Sequence, residues 1–154
     1  MANTYTQINI HAIFAVKHRE NKITEKFSNE LFKYISGILK KNNQFALAVN
    51  GYKDHVHLFF EMPPTYALSD VIRIVKTNSS KWINENNFLN NEFAWQEGFG
   101  GFSYSKSQQD SVIKYIMQQV EHHKKQSFRT EYLNLLKKYN IKFEKNYAFE
   151  FFDK

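Results

Sequence analysis

Asp54-His55-Val56-His57-Leu58-Phe59-Phe60 constrains the fold most. Two histidines flank one bulky apolar residue, and more apolar residues follow. In a strand, residues i and i+2 leave the same face. Both imidazoles then share one face, and Val56, Leu58 and Phe60 point into a core. Neutral imidazole is the commonest protein metal ligand, so that face could hold half of a metal site. Metal-assisted phosphate chemistry is the idea this raises.

The chain has 154 residues, enough for one domain with a sizeable core. There is no cysteine, so a metal would need N and O ligands. The start lacks a basic segment followed by an apolar run, and no stretch reaches membrane-spanning length. A cytoplasmic protein is expected. The net charge of +6 favours a polyanionic partner, nucleic acid above others.

Thr4 to about Lys17 alternates, with Ile8, Ile10, Ala12, Phe14 and Val16 on one face. Tyr5, Gln7, Asn9, His11 and Ile13 form an open polar face. Thr24 should cap a helix to about Lys41. Gln44 to Tyr52 reads as a second strand, turned by a short hairpin into the His-Val-His strand. A second helix runs from Ser69 or Asp70 to about Asn86, with Arg73, Lys76 and Lys81 outward. Trp95 to Ser105 is a glycine-bearing loop entering a fourth strand. Ser107 opens a third helix to about Lys125, and Ser127 caps a fourth. The tail from Ile141 is aromatic-rich. The order fits an α+β, ferredoxin-like split βαββαβ antiparallel sheet with helices on one face. The first and third strands would be the central neighbours.

On the third helix the apolar stripe is Val112, Ile113, Ile116, Met117 and Val120. Tyr115, Gln119 and His122 fall off it on one polar flank. Tyr115 is therefore a candidate nucleophile, weak until activated. Gln119 offers an amide oxygen to a hard cation such as Mg²⁺ or Mn²⁺. Each feature alone has a blander explanation: a surface histidine pair, an interface tyrosine, a basic helix end.

Together they resemble the single-tyrosine HUH transposases of small bacterial insertion sequences, of the IS200/IS605 type. The likeness runs through His11-Ala12-Ile13-Phe14, Lys17-His18-Arg19, Asp54-His55-Val56-His57-Leu58 and Ser79-Ser80-Lys81-Trp82. It continues in Trp95-Gln96-Glu97-Gly98-Phe99-Gly100-Gly101-Phe102-Ser103 and Tyr115-Ile116-Met117-Gln118-Gln119-Val120-Glu121-His122-His123. Tyr52-Lys53 replaces the Met-Pro common in that family. The resemblance implies one domain over residues 1–154 that cleaves and rejoins single-stranded DNA with a divalent metal, Mg²⁺ or Mn²⁺. Tyr115 would form a 5′-phosphotyrosine, with His55, His57 and Gln119 as ligands. Hairpins at the element's ends would be bound by a homodimer, with no nucleotide cofactor. Lys17, Arg19, Arg73, Lys76 and Lys81 are candidate DNA contacts, and His11, Asp54 and His122 candidate supports. The alternatives are a replication-initiator or relaxase-like nickase, or a non-catalytic binding module for single-stranded nucleic acid.

Overall fold

A computed structural model describes residues 3–123 and 126–141, apart from the side chain of His122. The expected tail beyond Ile141 lies outside them. Four strands, β1 (Asn9–Ala15), β2 (Phe45–Gly51), β3 (His55–Glu61) and β4 (Gly100–Tyr104), form one sheet in the order β2-β3-β1-β4. Every neighbouring pair is antiparallel. The central pair is β1 and β3, as the split βαββαβ pattern requires.

Alternation builds the sheet. Ile10, Ala12 and Phe14 of β1 and Val56, Leu58 and Phe60 of β3 turn toward one core. Helices α1 (Ser28–Lys41) and α2 (Leu68–Glu85) close it with Leu31, Ile35, Leu39, Val71, Ile72 and Val75. The first strand is shorter than its pattern, because the pairing with β3 ends at Asn9 and Ala15. The first helix begins at Ser28 rather than beside Thr24. Thr24 contributes a turn, its carbonyl accepting the amides of Phe27 and Ser28 at 3.2 and 3.0 Å.

The opposite face is not open. Its polar residues suggested solvent, yet His11, His55 and His57 are fully buried. The same face carries Ile13, Ala15, Phe59 and Phe102, an apolar surface that needs cover. Three C-terminal helices supply it: α3 (Gln109–Met117), α4 (Gln119–His123) and α5 (Phe128–Lys138). Val112 and Ile116 pack on Ala48 and Phe59, while Phe128, Tyr132 and Leu136 pack on Ile13, Ala15 and Phe102. The single third helix of the sequence reading breaks at Gln118 (φ −101°, ψ 23°). Met117 and Val120, assigned to its apolar stripe, are exposed. Beyond the break Gln119 opens a separate short helix, so one helical period cannot place both ends. Ser127 caps α5 as expected, accepting the Thr130 amide at 3.2 Å.

Phe14 is fully buried beneath Trp95, edge-on at 4.7 Å between ring centres. Phe14→Ala should cost about 3–5 kcal/mol. Urea denaturation should show a lower midpoint with an unchanged slope.

Candidate active site

The site lies between the central strands and the three C-terminal helices. β3 projects His55 and His57 from one face, as alternation requires, and β1 places His11 beside them. His11 Nε2 and His57 Nδ1 are 2.8 Å apart, so one donates and the other accepts. That bond fixes the His57 ring and leaves Nε2 facing α5. His57 Nε2 is buried without a hydrogen-bond partner among the described residues.

His55 is held on its other side. Its Nδ1 is 2.7 Å from Asp54 Oδ1. Asp54 Oδ2 accepts from Arg19 Nη2 at 2.6 Å and Nε at 3.0 Å. The Phe128 ring stacks on the His55 ring at 4.0 Å, and the Arg19 guanidinium lies 5.1 Å from the centre of that same ring. Burial pushes the Asp54 carboxyl up, but hydrogen bonds and charges from His55 and Arg19 outweigh it, and its pKa falls below the usual value. An ionised Asp54 keeps a proton on His55 Nδ1 and turns Nε2 inward.

The helices bring the rest. His123 Nε2 and His55 Nε2 lie 2.9 and 3.2 Å from Gln119 Oε1. Glu131 of α5 enters among them, its Oε1 3.6, 3.3 and 3.3 Å from Nε2 of His55, His57 and His123. Its Oε2 accepts the Tyr115 hydroxyl and, at 3.3 Å, the Gln119 amide. One ligand atom from each of His55, His57, His123 and Glu131 lies within 4.8 Å of the others. Such convergence of buried nitrogens and a carboxylate suits a divalent cation, and His57 Nε2, 3.3 Å from Glu131 Oε1, points into it.

Burial lowers the His57 pKa, against the raising influence of Glu131. Burial likewise drives His11 well down, with the His57 charge adding to it. Burial thus favours the neutral ring, the form a metal needs, while the Glu131 carboxylate pulls His57 the other way. Burial raises the Tyr115 hydroxyl, and the Glu131 charge raises it further. Burial pushes Glu131 up, but the surrounding imidazoles hold it far below the carboxylate range. Tyr115 is therefore a protonated phenol beside an ionised carboxylate.

The sequence candidates divide. His55, His57, Gln119 and Tyr115 meet in one place, within a single chain, and His11 and Asp54 support the histidines. The His122 side chain lies outside the described residues. His123 and Glu131 were missed: the first was read as a helix end, and the second sits on a helix whose sequence marks it only as a first-turn acid. Arg19 is no surface cation, since its side chain is 8% exposed and bound to Asp54. Lys76 reaches the carbonyls of Gln96 and Gly98 at 2.7 and 2.8 Å. Arg73 and Lys81 line the same groove, of about 620 Å³, away from the histidines. A second cavity, about 450 Å³, opens beside Tyr115 and Glu131 and is lined also by Tyr104, Gln108 and Lys138.

Solved structures that share this fold include two transposases. One, a putative transposase from Deinococcus radiodurans R1, is 18% identical, with a TM-score of 0.63 over 77% of this chain and 95% of that one. The other is a REP-associated tyrosine transposase bound to a REP hairpin, 14% identical, with a TM-score of 0.54 over 77% and 70%. No curated protein matches significantly. Removing one partner of a buried ion pair costs about 3–5 kcal/mol, so Arg19→Ala should lower stability in urea by about 3 kcal/mol. The family model for IS200-like transposases matches residues 4–119, and the chain belongs to that family.

Proposed function

We propose that this transposase cleaves and rejoins single-stranded DNA through Tyr115. The observation that carries this reading is the convergence of the Tyr115 hydroxyl and the His55 and His57 imidazoles on one carboxylate, Glu131. A phenol and a cluster of neutral nitrogens serve phosphoryl transfer without a water nucleophile.

His55, His57 and Gln119 would hold a divalent ion, Mg²⁺ or Mn²⁺. When bound, such an ion polarises a phosphate oxygen and stabilises charge on the pentacoordinate phosphorus. The residues themselves do the rest. Asp54 and His11 orient the two imidazoles. Tyr115 Oη attacks the scissile phosphorus as its proton passes to Glu131 Oε2, the P–O3′ bond breaks, and the 3′ oxygen takes up a proton and departs as a hydroxyl. A 5′-phosphotyrosine results. In the reverse step a 3′-hydroxyl attacks it, restoring the tyrosine and joining DNA. No ATP is consumed, because each step exchanges one phosphodiester for another. The cavity beside Tyr115, edged by Lys138 and Tyr104, suits a strand with its backbone near a cation and a base on an aromatic ring.

The substrate would be single-stranded DNA near hairpins at the ends of an insertion sequence. Support comes from the family and from the hairpin-bound relative. A homodimer is part of this reading, as is a cytoplasmic location; no helix among the described residues is long and apolar enough to cross a membrane. Lys17, Arg73, Lys76 and Lys81 would neutralise phosphates, making binding salt-dependent.

End-labelled single-stranded oligonucleotides carrying an element's end test it. With Mn²⁺, a covalent adduct should form with the fragment on the 3′ side of the cut, through its 5′ phosphate, and vanish in Tyr115→Phe. Adducts persisting in that variant would place the nucleophile elsewhere. His55→Ala and His57→Ala should lose cleavage while hairpin binding survives, read by gel shift.

A further inference from the structure

The two oxygens of Glu131 face different groups. Oε1 faces the Nε2 atoms of His55, His57 and His123 at 3.3–3.6 Å. Oε2 accepts from the Tyr115 hydroxyl and from Gln119. Glu131 is 3% exposed and stands on α5, whose Phe128 and Tyr132 anchor it against the sheet. The carboxylate therefore has a fixed approach to both.

We propose that Glu131 links the metal centre to the nucleophile: Oε1 is a ligand beside His55, His57 and His123, and Oε2 positions the Tyr115 hydroxyl. This rests on the reading of Tyr115 and the histidines above. It adds a carboxylate and a third imidazole to the ligand set. Three imidazoles, with one carboxylate and the Gln119 amide oxygen, favour a first-row transition ion over Mg²⁺, which prefers oxygen ligands and retains its water. Mn²⁺ should therefore bind much more tightly than Mg²⁺. It also makes α5 part of the centre, so metal binding and docking of α5 reinforce each other.

The probe is the metal alone. Metal-free full-length protein is titrated with Mn²⁺ and with Mg²⁺, followed by calorimetry and by the Mn²⁺ paramagnetic resonance signal. Wild type should bind Mn²⁺ at least tenfold more tightly than Mg²⁺. Glu131→Gln, nearly isosteric, should weaken Mn²⁺ binding at least tenfold and alter the resonance spectrum, with Glu131→Asp restoring part of the loss. Tyr115→Phe should bind Mn²⁺ within about twofold of wild type. Wild-type Mn²⁺ affinity in Glu131→Gln, with binding lost in His55→Ala, overturns the proposal and leaves the transposase reading standing. Tighter Mn²⁺ binding by Glu131→Gln also overturns it, since the carboxylate would then compete with the ion. No Mn²⁺ binding by wild type overturns both. Unfolding of Glu131→Gln, seen by circular dichroism, transfers the test to His123→Ala. A tenfold loss there upholds the wider ligand set, and wild-type affinity overturns it.

Discussion

Everything in the site depends on burying three histidines under helices that bring one carboxylate. Neutral imidazoles pack in a core at modest cost, provided each ring has one nitrogen satisfied. His11 and His57 satisfy each other, and Asp54 satisfies His55. The inward nitrogens are then left for whatever α3, α4 and α5 deliver. A charged group could not be buried there alone. Glu131 is tolerated because imidazoles surround it, and its own charge raises the His57 pKa against burial. Strand face and helix are thus electrostatically matched.

Asp54 extends the same dependence outward. It joins His55 to Arg19, and Arg19 sits over Phe128 of α5. Through Arg19, Asp54 thereby connects His55 to the helix that covers it. Coupling of this kind explains why a basic residue in a turn is buried. Its charge serves the site from within, whereas Arg73 and Lys81 remain more than 60% exposed and available to a backbone.

The sheet was legible because period-two patterns are local. His55 and His57 share a face for the same reason that Leu58 and Phe60 do not. Tyr115 and Gln119 were legible as a pair four residues apart, although Gln118 breaks the helix between them. The pairing survives because both side chains reach Glu131. What was not legible depends on tertiary packing. An alternating polar face reads as solvated unless something covers it, and the covering helices lie 50 or more residues away. Glu131 has no local mark, being one acid in an amphipathic helix. His123 sits at a helix end where a basic residue is expected anyway. Exposed Met117 and Val120 show the converse, apolar residues that a helical period assigns to a core they do not reach.

Placing Tyr115 on one helix and Glu131 on another has a mechanical consequence. Tyr115 is raised in pKa by burial and by the neighbouring carboxylate, so it stays protonated. Phe128 and Tyr132 flank Glu131 in sequence, and both pack against the sheet. The carboxylate therefore cannot withdraw from the Tyr115 hydroxyl while those two contacts hold.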